Sequence, residues 1–352
     1  MIAKIFKYFS IGLFCALILF EAVRIVGRKL NRRVPAGGIN ETRLVEINGT
    51  WQWISIYGKN VHNPVLLYLH GGPGTATSPY DYAFTRKWAD AYTVVTWDQR
   101  NCGKSYDKKQ NGTKLTYDMF LQDGKEMTEF LQTYLKKDKI TILGHSWGTF
   151  FGANLALAYP EYYEAYIGTG QVVNMDENEK ALEQAAKSWA QGDKEDERLL
   201  ACLDGDDEHK KLLARQRLME KYGYDMFAQG RDYSLATALI FNPYYSLWEL
   251  VGYLRYFSTG FKDYETFLYS PEFKKFALND RHSYRIPYYN INGDRDFQTN
   301  YLQAQEYFNA VEAPRKKLFI MKDMTHGLLE SRSQEFSDII HEIHAMESEA
   351  LP

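Results

Sequence analysis

With 352 residues, 45% of them hydrophobic and 25% charged, the chain can bury a large core, which excludes intrinsic disorder and allows one large domain with an insertion or two domains. A formal net charge of -3 supplies no excess of positive charge for a nucleic-acid surface. Three cysteines, Cys15, Cys102 and Cys202, are too few and too scattered for a disulfide framework or a zinc site, so free thiols, no metal and no cofactor are expected.

Residues 1–30 differ from everything after them. Lys4 and Lys7 precede an apolar run over residues 8–20, which continues past Glu21 and Arg24 to Val26; Arg28, Lys29, Arg32 and Arg33 follow. Phe20, Glu21 and Ala22 do not fit the small-x-small pattern of a signal cleavage site. Counted through Val26, a helix would measure roughly 28 Å at about 1.5 Å per residue, enough to cross a bilayer core, with Glu21 and Arg24 placed to pair. The segment therefore reads as an uncleaved membrane anchor, ahead of a cleaved signal or a surface-lying helix. Basic residues flank it on both sides, and the excess after it leans toward a cytoplasmic catalytic domain without fixing the side.

Residues 31–42 are rich in structure breakers and read as a linker. A β-hairpin is expected over residues 43–57, because Asn48-Gly49 supplies the positive φ angles of a tight turn. Residues 65–69 form a continuous apolar strand that ends in His70-Gly71-Gly72-Pro73-Gly74. Residues 92–97 form another, ending in Asp98-Gln99-Arg100-Asn101-Cys102-Gly103-Lys104-Ser105. A helix over 117–135 leads to a strand at 140–143, which breaks at Gly144-His145-Ser146-Trp147-Gly148 and passes into an alanine-rich helix. Apolar strands alternating with helices imply a mostly parallel sheet covered on both faces, with the site at the carboxyl ends of its strands.

After a strand at 165–168 the alternation stops. Residues 172–283 are first charged and helical, then dense in aromatic residues, and read as a helical cap inserted into the α/β domain of residues 43–171 and 284–352. Most of the cap aromatics are expected to pack cap against sheet, and some to line a substrate cavity. The sheet resumes at 287–292, before Gly293-Asp294-Arg295-Asp296, and ends with a strand at 317–321, before Met324-Thr325-His326-Gly327. Helices are expected at 301–311 and 329–346.

The chemistry centres on Ser146. In Gly-x-Ser-x-Gly the glycines let the backbone turn sharply between strand and helix, and the serine hydroxyl projects from the tip. A serine needs a base to take its proton and a carboxylate to orient that base. Of the eight histidines, His326 alone lies at a strand end late in the chain. His341 and His344 lie on the terminal helix, His70 and His145 belong to the turns, and His62, His209 and His282 have no suggestive context. Asp296 is favoured over Asp294 as the acid because it sits deeper in its loop. The amides of Trp147, at a helix start, and Gly72 are the candidate oxyanion donors.

His70-Gly71-Gly72-Pro73-Gly74, Trp97-Asp98-Gln99-Arg100 with Gly103 and Ser105, and Gly144-His145-Ser146-Trp147-Gly148 together resemble the signature of the proline iminopeptidase branch of the α/β-hydrolase superfamily. The likeness runs from about residue 43 to the end, the cap matching only in kind. It implies an α/β-hydrolase fold, Ser146 as nucleophile, His326 as base, Asp296 as its orienter, and Gly72 and Trp147 as oxyanion donors. Asn101 and Cys102 depart from the more usual glycine-rich pair. The family's aminopeptidases hold the substrate ammonium with cap glutamates, and here Trp248-Glu249 offers the one such position.

Three functions stay in view. The first is a membrane-anchored serine hydrolase that removes an N-terminal proline or similar residue from short peptides. The second is an esterase, amidase or lactonase acting on lipophilic carbonyl compounds near the bilayer. The third is a non-catalytic binding protein on the same fold.

Overall fold

The computed structural model describes residues 2–205 and 207–349. Its framework is one eight-stranded sheet: β1 (Ile39–Ile47), β2 (Thr50–Gly58), β3 (Val65–Leu69), β4 (Thr93–Asp98), β5 (Ile140–His145), β6 (Tyr163–Thr169), β7 (Tyr288–Gly293) and β8 (Lys316–Met321). The spatial order is β1-β2-β4-β3-β5-β6-β7-β8. β2 runs antiparallel to both of its neighbours, and the pairs from β4 to β8 are parallel. The hairpin closes at Asn48-Gly49, where φ is 46° and 73°, the positive pair that a two-residue turn demands. β1 starts at Ile39, so the segment between the N-terminal helix and the sheet is shorter than the sequence suggested.

Successive residues of a strand face opposite sides, and β3 divides its side chains accordingly. Val65, Leu67 and Leu69 join one buried cluster with Ile142, Phe120, Phe151 and the cap's Tyr264 and Phe267. Leu66 and Tyr68 join the other, with Trp88, Leu143 and the terminal helix residues Phe336 and Ile340. Burial on both faces explains why the parallel strands read as unbroken apolar runs.

Register carries the strand ends to one edge. Leu69 pairs opposite Gly144, His145 opposite Thr169, Thr169 opposite Ile291, and Gly293 opposite Met321. The loops that leave β3, β5, β6, β7 and β8 therefore stand side by side.

Between β6 and β7 the described residues form seven helices, from Met175–Trp189 to Pro271–Lys274. Aromatic packing seats this cap on the core: the Trp147 ring contacts Phe267, Phe273 and Phe276 from above and Phe120 and Phe151 from the core side. The N-terminal helix spans Ile2–Leu30, about 44 Å at about 1.5 Å per residue, and is long and apolar enough to cross a membrane. It outruns the expected span because its last turns rest on the cap. Arg24 and Arg28 donate to the carbonyls of Tyr245 and Asn242 at 2.8 and 3.0 Å, and Asn31 and Arg32 donate to those of Phe241 and Pro243 at 2.9 and 2.8 Å. Residues 241–245 lie outside regular structure, so these side chains satisfy carbonyls that no ladder would.

Candidate active site

Ser146 sits at the bend between β5 and the helix Trp147–Ala158, with φ 55° and ψ -121°, a backbone state strained for any L side chain. The flanking glycines have a steric reason. A Cβ at Gly144 would stand 2.2 Å from the Gly148 carbonyl oxygen, and one at Gly148 would stand 2.0 Å from that of Leu69. The Ser146 amide donates to the Thr169 carbonyl at 3.0 Å, which pins the bend to β6.

His326 and Asp296 meet. His326 Nδ1 lies 2.8 Å from Asp296 Oδ2, and both side chains are buried. Thr299 completes the carboxylate's shell, its amide donating to Oδ1 and its hydroxyl to Oδ2, each at 2.9 Å. With Nδ1 donating to a carboxylate, the imidazole's acceptor is Nε2, which is buried and has no hydrogen-bond partner. Gly170, at φ 59°, lies against this ring: a Cβ there would stand 2.9 Å from His326 Cε1. Because Gly170 follows directly on Thr169, the Ser146 bend and the His326 ring flank the same residue pair. Asp294 instead accepts from the Asp323 amide at 2.7 Å and faces Lys322, away from the histidine.

Two further histidines frame the pair in neutral form. His145 donates from Nε2 to the His326 carbonyl at 3.1 Å, and the two rings lie 4.8 Å apart. Burial, with His326 beside it, lowers the His145 pKa to about 3. His70 donates from Nδ1 to the Gly71 carbonyl at 2.7 Å and accepts the Gln99 amide on Nε2 at 3.4 Å; burial brings its pKa down to about 4.

Gln99 ties the three loops together. Its side-chain amide donates to the His70 carbonyl at 3.3 Å, while its oxygen accepts the Trp147 indole N–H at 2.9 Å. The adjacent Arg100 pairs with Asp123 in the interior and reaches the Asn48 carbonyl at 3.1 Å. Gly72 is exposed at φ 118°, and Gly71 approaches so closely that a Cβ would lie 3.2 Å from that of Ser146. The Trp147 amide opens a helix, where the first N–H groups have no intrahelical acceptor. Gly71 and Trp147 thus border the serine from two loops, and Gly72 follows Gly71 in the first of them.

The structure does not bring Trp248 and Glu249 into this group. Glu249 accepts from Lys104 at 2.6 Å and closes a capping box with Ser246 at the start of the helix Leu247–Thr259. It lines a groove of about 650 Å³ with Trp53, Lys104, Tyr245 and Tyr253, whereas Trp248 is 81% exposed. Those contacts account for the glutamate as a cap and an ion-pair partner.

Sequence reasoning passed over Thr299, Gly170 and the role of Gln99. An Asp-x-x-Thr spacing permits the i to i+3 bond that Thr299 makes, so that signal was available. Gly170 and Gln99 act across loops far apart in sequence, and the motif that contains Gln99 does not show what its side chain bonds.

Residues 64–332 match the family described as alpha/beta hydrolase fold. The chain is 27% identical over 295 residues to "Probable aminopeptidase YbaC" of Bacillus subtilis (strain 168), covering 80% of this chain and 89% of that protein. The crystal structure of proline iminopeptidase from Mycobacterium smegmatis superposes with a TM-score of 0.66 at 17% identity, over 88% of this chain and 99% of that one. That of a membrane phospholipase A, described as a bacterial virulence factor, superposes with a TM-score of 0.59 at 17% identity, over 98% and 100%. The chain belongs to the α/β-hydrolase fold family, and its relatives include proteins named aminopeptidase and proline iminopeptidase.

Proposed function

We propose that this chain is a membrane-anchored serine hydrolase, with Ser146 as nucleophile, His326 as general base, Asp296 as the group that orients the base, and the Gly72 and Trp147 amides as oxyanion donors. The observation that carries this reading is the state of His326: Nδ1 is committed to Asp296 at 2.8 Å, and Nε2 is a buried acceptor without a partner, beside the residue pair that holds the Ser146 bend. In the first half-reaction His326 takes the Ser146 proton as the oxygen attacks the carbonyl carbon. It returns that proton to the leaving amine or alcohol as the acyl-enzyme forms. Water, deprotonated by the same nitrogen, then releases the acid and frees Ser146. The imidazolium that forms twice in the cycle is stabilised by the Asp296 carboxylate.

Short peptides with an N-terminal proline or other small residue are the first substrate class, supported by the aminopeptidase and proline iminopeptidase names of the relatives. A second class, lipophilic esters and related carbonyl compounds, is favoured by one observation: the apolar N-terminal helix is bonded directly to the cap. The match to the membrane phospholipase leaves about 7 residues of this chain uncovered, so it extends over most of that helix.

A fluorophosphonate probe tests the nucleophile. The folded full-length protein should be labelled and Ser146→Ala should not, with turnover lost on the order of 10⁴-fold or more. An unlabelled wild type of intact fold removes the serine mechanism. Rates on Pro- and Ala-arylamides, acetyl-capped arylamides and p-nitrophenyl esters then divide the two classes: preference for free amines supports the aminopeptidase, and preference for capped substrates or esters overturns it.

A further inference from the structure

The helix Leu247–Thr259 leaves one face of the cap uncovered. Leu247 is 40% exposed, Trp248 81%, Val251 38%, Leu254 69% and Phe257 41%. At about 100° per residue Leu247, Val251 and Leu254 fall within about 60° of one another, with Trp248 and Phe257 on the two flanks. The opposite face is packed: Tyr256 is buried, and the Tyr253 hydroxyl donates to the Ala76 carbonyl at 2.7 Å. Three turns of a soluble helix do not keep so many large apolar side chains in water without a partner surface.

We infer that this face lies in the headgroup boundary of the same bilayer that the N-terminal helix enters, giving the protein a second membrane contact on its cap. Three observations select a lipid surface over another occupant. First, the face is continuous with the anchor. Four side chains at the end of the N-terminal helix hold the carbonyls of residues 241–245, and the helix Leu247–Thr259 starts two residues later. Gly27 packs so tightly on Phe241 that a Cβ there would stand 2.3 Å from the ring. The cap helix is therefore fixed to the membrane segment through one short, bonded loop.

Second, the face has the composition of an interfacial helix: aliphatic side chains in the centre, a tryptophan at one margin, and Arg255 two turns further along that margin. Third, Lys29 in the last turn of the N-terminal helix and Arg33 just past its end are exposed basic residues, suited to lipid phosphates at the same level. The consequence for function follows from the staples beneath. Tyr253 holds Ala76, and Asn242 holds the Ser78 and Pro79 carbonyls at 2.9 and 2.7 Å. The segment after the candidate oxyanion loop thus hangs from the cap elements that meet the bilayer, and a substrate dissolved in the membrane would approach from this side.

This inference rests on the anchor reading, so the test separates the two. Full-length protein is placed in nanodiscs of phosphatidylcholine and phosphatidylglycerol containing lipids with a doxyl quencher near the headgroup, beside a Trp248→Phe variant. The tryptophan emission that this substitution removes should be quenched by the doxyl lipid about twofold. Leu254→Glu should abolish that quenching while carbonate extraction still leaves the protein in the membrane pellet. Trp248 emission untouched by the lipid quencher but open to aqueous acrylamide overturns the inference and leaves the anchor standing. Emission shielded from both, in discs that hold two copies but not in discs that hold one, assigns the face to a second copy and overturns it as well. Wild-type protein released by carbonate removes the anchor, and the second contact falls with it.

Discussion

The strand-end loops and the cap solve the problem of holding a position in opposite ways. In the loops, placement is local and over-determined: the Ser146 bend is closed by two glycines that no larger residue can replace, and Asp296 receives three donors. In the cap, placement depends on aromatic stacking around Trp147 and on side chains that reach the main chain of distant segments, as Tyr264 reaches the Arg100 carbonyl and Asn242 that of Ser78. In the proposed mechanism the chemistry that needs fixed atoms sits in the first kind of structure, and discrimination between substrates falls to the second, which can vary without disturbing the first.

The largest test of this division is Asp296→Asn. The Thr299 amide requires an oxygen at the Oδ1 position, so the carboxamide NH₂ must take the Oδ2 position and point at His326 Nδ1. The imidazole would then accept at Nδ1 and carry its proton on Nε2, where it could no longer take one from serine. Turnover should fall on the order of 10⁴-fold, with the melting temperature shifted by only a few degrees. Loss of less than about tenfold would mean that the orientation of His326 is set elsewhere.

A smaller effect concerns pH. Burial depresses His70 to about 4 and His145 to about 3, while burial, together with the charge of Asp98, raises Asp81 to about 7, and burial raises Asp98 to about 6. Between about pH 4.5 and 6 the unfolded chain holds more protons on the two histidines, which makes stability rise with pH; the folded chain holds more on the two aspartates, which makes it fall. The two pairs oppose each other, and the wild-type stability contributed by them should be nearly level over that window. Asp81→Asn removes one falling contribution. Its stability by urea unfolding should then climb with pH more steeply than wild type, approaching about 1.4 kcal/mol per unit. Parallel curves for the two proteins would show that these groups do not titrate as their burial implies.

How much was legible follows the same division. The unbroken apolar strands, the Asn48-Gly49 turn and the Gly144 to Gly148 bend each rest on interactions within a few residues, and a sequence displays those directly. The choice of Asp296 over Asp294 also had a local basis, since its loop position let it turn back, and the structure seats its carboxylate on His326. The bridge from Gln99 to Trp147 was hidden, because 48 positions separate two side chains that only the sheet register brings together. The docking of Arg24 and Arg28 on residues 241–245 was hidden for a stronger reason: their partners are carbonyl groups, which every residue possesses and no motif marks.

The finest probe is Glu249, where the sequence offered a substrate-binding residue and the structure offers a cap. Its carboxylate accepts from Lys104 and from the Ser246 amide, and the side chain is about half exposed. A half-exposed pair of this kind contributes under about 1 kcal/mol, and its loss leaves no buried group unpaired, because Lys104 still donates to the Tyr244 carbonyl at 2.9 Å. Glu249→Gln can keep the reciprocal bond to the Ser246 amide, because a glutamine oxygen accepts there as well. Unfolding free energy should therefore change by less than about 1 kcal/mol, and the ratio of KM values for free and acetyl-capped arylamides should stay within about twofold. A tenfold rise in KM confined to the free amines would return Glu249 to the substrate and show that the groove beside Lys104 opens to the reacting carbonyl. The cap would then carry a fixed charge for chemistry, and the separation between its role and that of the loops would fail at this residue.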